Sequence, residues 1–460
     1  MVACVRGKIG SSRGSGSGPY PPNSALSWGK GLQDWFKPRR YRHFDRPVGE
    51  DFASKAQDPS FVDKHPFSPL IRYVKIERRY RKAKAKTEDK RRPIMFASHR
   101  DACILNWYAI CLNARLEDLY AQHGISDSVI AYRRLGLGNY DFAAEAYAFA
   151  KDKAPVTILA FDVTSFFDTL DHRLLKQRLK QALGAAELSA DWYQVFRAMT
   201  RYHYVLLDEL KSHEKFGPRI ATFSREPIAS VAELKAGAIT FHGNPSPGCG
   251  IPQGTPLSAA FSNLYMIDFD RRLRAYADSI GGFYRRYSDD ILLICPSAEV
   301  DAAEAKVGEL IGLDRLQLNL KKTERTLFDP ASSSGDTKPA QYLGFLLSES
   351  GVSIRGSSLS RQWRKMRWAV KRTRKAAERA IGSGASQQVY TKRLRRRFTA
   401  VPVRNFSSYA RRSAKAFDDC RKVRRQLRRF EHAVEREIRA LKLLEPQARQ
   451  NIGIGVNDVE

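Results

Sequence analysis

The chain has 460 residues, enough for two or three packed lobes, and its hydrophobic content of 43% is ordinary for a soluble protein. It carries 79 Lys and Arg against 49 Asp and Glu, a net charge of +30, and this excess predicts a polyanionic partner, since basic side chains on phosphates release counterions. No apolar run is long enough to span a bilayer and no apolar segment lies near the amino terminus, so we expect neither a membrane span nor a secretory signal.

Two other interpretations of the charge stay open. One is a solvated basic surface kept for solubility, and the other is attraction to an anionic membrane surface. The six cysteines are scattered without a CxxC pair, which argues against a zinc ribbon and for reduced thiols. We therefore expect a cytoplasmic protein whose main partner is nucleic acid and not a membrane.

The amino-terminal part is rich in Gly and Ser over residues 1–24, and we predict disorder there. The whole stretch 1–70 is expected to be a flexible basic extension. Basic residues then dominate, since 11 of the 21 residues from 72 to 92 are Lys or Arg. A strand is predicted over 91–96, and a helix over about 100–120.

The middle of the chain begins with a predicted buried strand over 157–163, which carries Asp162 near its carboxyl end. A helix is predicted over 171–183. Asp168 lies just before it and Asp171 at its start, and we expect both to cap this helix rather than to bind metal.

Further along, the stretch 206–247 contains several turn residues and no strong period, so we interpret it as an insertion. A helix is predicted over 258–276. Residues 282–296 have the pattern of two strands joined by a tight turn. A basic turn and a strand are predicted over 317–328, and a short hairpin over 341–346.

The carboxyl-terminal part is predicted to be helical, with apolar stripes at helical spacing that form a core. From residue 361 to residue 440 there are 26 Lys and Arg and 6 Asp and Glu. The faces opposite the stripes are therefore a candidate nucleic-acid cradle. Four arginines represent this surface: Arg393, Arg396, Arg424 and Arg428.

Three aspartates are candidate metal ligands. Asp162 ends a predicted strand, and Asp289 and Asp290 occupy the predicted turn. Alone, an Asp-Asp pair in a hairpin is usually only turn chemistry. Here a Pro-Gln-Gly loop at 252–254 lies between the strand and an aromatic-X-Asp-Asp turn, and this ordered set indicates a site for divalent cations and phosphoryl transfer.

Together these segments resemble the palm motifs of reverse transcriptases. The resemblance implies an α+β fold of the right-hand polymerase type, with fingers over 71–156, a palm over 157–347 and a helical thumb over 348–445. The palm would be an antiparallel sheet with helices. The extension 1–70 would precede these parts, and a tail, 446–460, would follow.

The resemblance also implies a catalytic centre. Two Mg²⁺ ions, with Mn²⁺ as a substitute, would be held by Asp162 and Asp289, with Asp290 assisting and Val163 lending a backbone carbonyl. Lys322 would approach the triphosphate and protonate the departing pyrophosphate; the alternative for this lysine is a solvated charge.

The nucleotide would be held by residues from three segments. Arg92, with its neighbours Lys90 and Arg91, would bind the β- and γ-phosphates, for which the planar guanidinium is suited. Phe167 would lie under the sugar and reject a 2′-hydroxyl, unless it is simply a core residue. Gln253 would contact the nucleotide and template pair, and Gly254 would permit close backbone approach.

A primer grip is implied by the hairpin residues Tyr342, Leu343 and Gly344. The loop continues with Ala259 where group II intron enzymes usually have proline. This difference and the amino-acid sequence of residues 262–270 make the chain most similar to two groups of prokaryotic enzymes: the stand-alone, defence-associated "unknown group" enzymes and the retron-type enzymes.

The expected function is RNA-directed DNA polymerisation, which adds dNTPs to a 3′-hydroxyl, in prokaryotic antiviral defence. The expected partners are an RNA template, a DNA product and dNTPs. The template can be a dedicated noncoding RNA. A partner protein or a second copy of the chain is left open. Two alternatives also stay open: a template-independent or protein-primed nucleotidyltransferase on the same palm, and a non-catalytic RNA-binding component.

Overall fold

The computed structural model describes residues 35–81, 86–222, 224, 226–330, 338–399 and 403–446. The predicted disorder of residues 1–24, and all but the first residue of the predicted tail, lie outside the described residues. Within the described ranges, no helix combines the length and the apolar composition that a bilayer crossing requires.

The described residues form a mixed α+β structure, so the predicted fold class is confirmed. The strands are β1 (Leu70–Arg81), β2 (Lys86–Phe96), β3 (Val156–Asp162), β4 (His203–Leu206), β5 (His242–Gly243), β6 (Phe283–Tyr287), β7 (Asp290–Pro296), β8 (Glu324–Phe328), β9 (Ala340–Tyr342), β10 (Phe345–Ser348) and β11 (Gly351–Ile354). The helices are α1 (Glu50–Lys55), α2 (Pro59–Asp63), α3 (His99–Gln122), α4 (Asn139–Asp152), α5 (Phe166–Thr169), α6 (His172–Leu183), α7 (Ala190–Thr200), α8 (Leu207–Ser212), α9 (Phe216–Ala221), α10 (Val231–Ala236), α11 (Ser258–Tyr265), α12 (Ile267–Ser279), α13 (Val300–Leu313), α14 (Gly356–Gly382), α15 (Lys392–Phe398), α16 (Phe406–Ala416) and α17 (Arg421–Lys442).

The central element is an antiparallel sheet of order β6-β7-β3-β8, here called the palm sheet. Both of its faces are buried because side chains alternate between two cores. Leu159 and Leu293 belong to the main core with the helices, whereas Ile158 and Leu292 belong to a second core below the carboxyl-terminal elements. Because both faces are buried, β3 and β7 are apolar at nearly every position.

The fingers hairpin consists of β1 and β2, which pair antiparallel from Ile71↔Phe96 to Arg81↔Lys86. The strand predicted over 91–96 therefore extends further back through the basic segment. β4 runs parallel to β1, and β5 completes the sheet. The stretch interpreted as an insertion, 206–247, contains α8, α9, α10 and β5, and its apolar residues pack against Ile71 in a small core of their own.

Several local predictions are tested by the structure. The helix predicted over 100–120 is confirmed as α3, and the helix predicted over 171–183 as α6. Asp171 caps α6 by accepting the Leu174 N–H at 2.9 Å. The capping role predicted for Asp168 is wrong, because this residue lies inside the short helix α5. The helix predicted over 258–276 is two helices, α11 and α12, which meet at Met266.

The carboxyl-terminal elements begin with the three-stranded sheet β9-β10-β11, here called the grip sheet, which confirms the hairpin predicted over 341–346. The helices α14 to α17, here called the thumb helices, enclose a core that includes Met366, Phe398 and Phe430. The Gln426 side chain bonds both the N–H and the carbonyl of Ile354, at 2.9 and 3.1 Å, and so fastens α17 to β11.

Candidate metal centre and its cleft

The three candidate metal ligands lie together at one end of the palm sheet, and they are called the aspartate cluster below. Asp162 ends β3 and stands directly opposite Asp290, the first residue of β7. Ser288 forms the turn with a positive φ of 60°, so the chain reverses tightly between β6 and β7 and Asp289 is brought beside Asp162. One carboxylate oxygen from each aspartate lies within 4.8 Å of the others.

This arrangement fits a divalent cation. Loss of solvation, followed by repulsion from Asp289 and Asp162, raises the pKa of Asp290 from its ordinary value of 3.8 to about 6, although Lys322 and Lys90 oppose the shift. Three carboxylates that repel one another at this distance are relieved by a bound cation, and hard oxygen ligands are what Mg²⁺ and Mn²⁺ prefer.

Lys322 is placed by the turn that precedes β8. The Asn319 N–H donates to the Asp162 carbonyl at 2.7 Å, and the Lys322 N–H donates to the Asn319 carbonyl at 2.8 Å. The turn is therefore hydrogen-bonded to the backbone of Asp162, whose side chain is a candidate metal ligand. The Lys322 ammonium pairs with the Asp162 carboxylate, so the lysine that the sequence singled out is beside the aspartate cluster.

The raised pKa of Asp290 predicts that Asp290→Asn stabilises the metal-free protein. Between about pH 4 and pH 6 the folded state holds a proton that the unfolded chain has lost, so stability falls as the pH rises, and asparagine removes this loss. We expect a higher thermal midpoint for the variant in EDTA at about pH 8, and a smaller gain near pH 5. Part of the Asp290 side chain still faces water at the cleft wall, so the solvent screens the effect and the gain is modest.

The control for this measurement is the same pair of proteins with Mg²⁺ added. The order of stability should then reverse, because the wild type offers the ion one more carboxylate and binding stabilises the folded state. An equal gain for Asp290→Asn at both pH values would contradict the raised pKa of Asp290.

The aspartate cluster opens into a cleft of about 1290 Å³. Its lining comes from the palm sheet, the fingers hairpin, the grip sheet and the thumb helices. The basic residues that line it are Lys90, Arg92, Lys321, Lys322, Arg355 and Arg361. The predicted primer-grip residues Tyr342, Leu343 and Gly344 line it too. An enclosure of carboxylates by cations on several walls is suited to a polyphosphate bound together with metal ions.

The two arginines predicted to bind phosphates lie on opposite faces of the fingers hairpin. Arg92 lines the cleft and pairs with Glu77 at 3.3 Å. Lys90, two residues earlier on the same face, lines the cleft as well. Arg91 is exposed on the other face and is not part of the cleft lining. The strand alternation therefore favours Lys90, and not Arg91, as the partner of Arg92.

The loop at 252–254 and Phe167 lie near each other, but neither lines the cleft. The Ile251 N–H donates to the Phe167 carbonyl at 2.8 Å. The Phe167 ring packs against Phe166 and the main core, which is the alternative that the sequence left open for it. The Met95 N–H donates to the Gln253 carbonyl at 2.8 Å, so this loop is docked on β2.

The structure shows which surface approaches the loop closely at Gly254. Its φ is +119°, and a Cβ atom built on it would lie 2.6 Å from the Met95 carbonyl oxygen and 3.0 Å from Ile94 Cγ2. The close approach is therefore to the backbone of the fingers hairpin. A glycine in such a loop signals a close approach, but not which surface approaches.

The four arginines chosen from the thumb lie outside the cleft lining. Arg393 and Arg396 are exposed on α15. Arg424 and Arg428 belong to an open groove on the outer face of α17, here called the α17 arginine stripe: Arg421, Arg424, Arg425, Arg428, Arg429 and His432. The thumb cations that do line the cleft, Arg355 and Arg361, were missed. Their one signal in the sequence is position, at the start of the helix that follows the grip sheet.

The fold and the site can be compared with known proteins. The profile of a family described as reverse transcriptase (RNA-dependent DNA polymerase) matches residues 84–347, more than half of the 460 residues. The retron Ec86 reverse transcriptase of Escherichia coli is 32% identical over 105 residues, which make up 23% of this chain and 30% of that protein. The chain thus matches less than a third of the length of this relative.

Two solved structures match this chain at low sequence identity. Telomerase from Candida albicans, in complex with a TWJ fragment of telomeric RNA, has a TM-score of 0.41 at 10% identity, covering 89% of this chain and 70% of that chain. Apo telomerase from Candida tropicalis has a TM-score of 0.40 at 12% identity, covering 88% of this chain and 68% of that chain.

Proposed function

The chain belongs to the reverse transcriptase (RNA-dependent DNA polymerase) family, and we propose that it is an RNA-directed DNA polymerase that adds deoxynucleotides to a 3′-hydroxyl. The observation that carries the proposal is the aspartate cluster in a cleft that Lys90, Arg92 and Lys322 also line. Carboxylates for divalent cations and basic side chains for phosphates are the two sets of groups that nucleotidyl transfer needs in one place.

In this proposal Asp162, Asp289 and Asp290 hold two Mg²⁺ ions, for which Mn²⁺ can substitute, and the Val163 carbonyl assists. Bound ions supply activation of the attacking hydroxyl and neutralisation of the triphosphate charge. We assign to Lys322 the delivery of a proton to the departing pyrophosphate. The support for this role is the ion pair that holds the lysine beside Asp162.

The same proposal assigns the triphosphate to Arg92, with Lys90 on the same face of the fingers hairpin as its partner. Phe167 is assigned to the exclusion of a 2′-hydroxyl, and Gln253 to the nucleotide and template pair. The hydrogen bond from the Met95 N–H to the Gln253 carbonyl, and the one from the Ile251 N–H to the Phe167 carbonyl, support a role for both residues in shaping the nucleotide side of the site. The growing DNA end is assigned to the grip residues Tyr342, Leu343 and Gly344.

The partners in this proposal are an RNA template, dNTPs and the DNA product. The net charge of +30 and the exposed arginines of the thumb helices support an RNA partner. We extend the proposal to prokaryotic antiviral defence in the cytoplasm. The antiviral role is supported by the amino-acid sequences of the motifs, and the cytoplasmic location by the free thiols of the five described cysteines. Protection of cells from phage, compared between the wild type and Asp289→Asn, tests that extension.

The experiment that tests the proposed activity is sequencing of the DNA made by the purified protein with Mg²⁺ and all four dNTPs. It is run with and without co-purifying RNA, beside Asp289→Asn. Products complementary to an RNA, and lost when that RNA is removed, are expected. RNA-independent products of biased sequence, lost in the variant, would favour untemplated synthesis on the same palm. No product with RNA, Mg²⁺ and dNTPs would reject the proposed activity for the protein alone.

The thumb surface gives a prediction about salt. Replacing Arg425 and Arg428 in the α17 arginine stripe with Gln should weaken RNA binding and reduce its dependence on salt, by about 0.7–0.9 log units of slope for each phosphate that is no longer neutralised. Fewer counterions are then released on binding, so the affinity and the slope should change together. RNA binding measured by filter retention over a series of salt concentrations checks this.

A matched control removes the same charge elsewhere. Arg272 on α12 and Lys306 on α13 are described residues outside both the cleft lining and the α17 arginine stripe. Arg272→Gln with Lys306→Gln should leave the slope nearly unchanged. If the control flattens the slope as much as the stripe variant does, the effect comes from net charge and not from direct binding of phosphate by the stripe.

A further inference from the structure

The turn between β6 and β7, here called the catalytic turn, begins at Tyr287. The residue before it, Arg286, is a fully buried arginine. Arg286 lies on β6, and its side chain and that of Asp270 on α12 are both 0% exposed. Its Nε donates to Asp270 Oδ1 and its Nη2 to Asp270 Oδ2, both at 2.7 Å. The Tyr284 hydroxyl also donates to Asp270 Oδ1, at 2.5 Å. A buried ion pair is often no better for stability than apolar side chains of similar size, so this arginine invites a second explanation.

The remaining nitrogen of the guanidinium points to the turn itself. Arg286 Nη1 donates to the Ser288 carbonyl at 3.0 Å and to Asn263 Oδ1 at 3.3 Å. That carbonyl belongs to the peptide group that joins Ser288 to Asp289. Because Ser288 has a positive φ of 60°, the orientation of this peptide is not one that a serine adopts readily. A fixed donor on its oxygen holds the peptide in place.

The turn is also held from the other side. The Tyr132 hydroxyl donates to Ser288 Oγ at 3.1 Å. The segment from Ser128 to Tyr132 runs along the edge of β6, where the Arg286 N–H donates to the Ser128 carbonyl at 2.7 Å and the Ile130 N–H donates to the Arg286 carbonyl at 3.1 Å. This segment follows α3, so residues expected to belong to the fingers contact the backbone that carries the aspartates.

Asn263 completes the connection between the two sides. Its amide nitrogen donates to the Ala131 carbonyl at 3.0 Å, while its amide oxygen accepts from Arg286. Asn263 is fully buried on α11, at 0% exposure. The described hydrogen bonds therefore run without interruption from the segment 128–132, through Asn263 and Arg286, to the Ser288–Asp289 peptide.

We propose that Arg286 is a positioning residue for the aspartate cluster, which with Asp270 and Asn263 orients the Ser288–Asp289 peptide and ties it to the segment 128–132. Arg286 does not line the cleft, so it acts through Asp289 and not on a substrate. The inference rests on the proposed function, since it concerns the metal affinity of that same site. Groups that orient metal ligands typically change metal affinity or activity about 10–100-fold when they are lost.

The test uses a variant that removes the buried charges of the network together, so that no orphaned charge is left. Arg286→Met, Asp270→Leu and Tyr284→Phe are combined, because apolar replacement of both partners of a buried pair is usually tolerated, whereas loss of one is not. The probe is Mn²⁺ alone, with free ion measured by electron paramagnetic resonance, so no polymerase activity is needed. We expect the Mn²⁺ dissociation constant to rise about 10–100-fold, with the thermal midpoint close to that of the wild type.

The matched control is another buried pair in the palm. Arg178 and Asp314 are 3% and 2% exposed and lie 2.5 Å apart, and neither contacts the catalytic turn. Arg178→Met with Asp314→Leu should leave Mn²⁺ binding within about twofold of the wild type. If the network variant binds Mn²⁺ as tightly as this control and the wild type, the positioning role is rejected.

A second variant covers the case in which the network variant does not fold. Tyr132→Phe removes one hydroxyl from a residue that is 47% exposed and leaves the buried charges in place. It should weaken Mn²⁺ binding by about two- to tenfold, the value of one hydrogen bond; no change would reject a contribution of the Tyr132–Ser288 hydrogen bond to the position of the turn. If Asp289→Asn binds Mn²⁺ as the wild type does, the metal site and the proposed function fail, which is a different result from failure of the positioning role alone.

Discussion

Asp289→Asn is expected to abolish DNA synthesis while RNA binding stays nearly unchanged. Asp289 follows the tight turn at Ser288. One of its carboxylate oxygens lies within 4.8 Å of one carboxylate oxygen each of Asp162 and Asp290. Asparagine keeps the shape but removes the negative charge that a divalent cation needs. Since such ions contribute several kcal/mol to transition-state stabilisation, we expect a loss on the order of 10³-fold or more in the rate of dNTP incorporation.

The measurement is single-turnover primer extension, together with RNA binding by the same protein. Asp168→Asn is the matched control, because Asp168 is also an aspartate after β3 but is outside the aspartate cluster and the cleft lining. The control should retain its activity. Synthesis by Asp289→Asn at the rate of the wild type would remove the metal assignment.

Gly254→Ala is expected to have the second largest effect, because it disturbs the packing of the loop at 252–254 on the fingers hairpin. The φ of +119° is strained for any residue with a side chain, at about 1–3 kcal/mol. The new methyl group would also lie 2.6 Å from the Met95 carbonyl oxygen, which is backbone and cannot swing away. The strand β2 must therefore move.

This movement reaches the cleft because β2 carries Lys90 and Arg92. A displacement of such groups by roughly 1 Å can reduce the rate about 10²-fold, so we expect a loss of that order together with a lower free energy of unfolding. Thermal denaturation and primer extension of the same preparation check both parts. An active and fully stable Gly254→Ala protein would show that the loop does not depend on this close packing.

Gly308→Ala is the control for this substitution. Gly308 is exposed on α13, and a Cβ atom built there meets nothing within 4 Å. Alanine in a helix is more favourable than glycine by about 0.5–1 kcal/mol. This variant should therefore be equally active and slightly more stable, which separates the effect of the close packing from the effect of replacing a glycine.

Much of the candidate site follows from local sequence. A strand end at Asp162, a tight turn at Asp289 and Asp290 and a basic turn at Lys322 are each visible within a few residues. Their order along the chain resembles the palm motifs of reverse transcriptases, and this resemblance implied that they lie in one place. The structure brings these four side chains together; their catalytic roles stay predictions until the variants are measured.

Other assignments depended on which face of an element turns inward. Alternation along a strand implies that Arg91 and Arg92 point in opposite directions, but not which of them faces the cleft. That choice is made by the register of β2 with β1 and by the docking of the loop at 252–254 on Met95. The sequence likewise showed amphipathic thumb helices, whereas their packing against the grip sheet decides that Arg355 and Arg361 line the cleft.

By itself, then, the sequence determined the strands and helices near the carboxylates, the excess of positive charge and the residues that end the strands of the site, while the α+β class followed from the family resemblance. These are properties of short segments, because periodicity, turn residues and charge are all read locally. Only the tertiary structure decided that Gly254 makes room for the fingers hairpin, and that Arg286 reaches both Asp270 and the Ser288 carbonyl. Both are contacts between separate elements, and their geometry is set by how the helices and sheets pack around two cores.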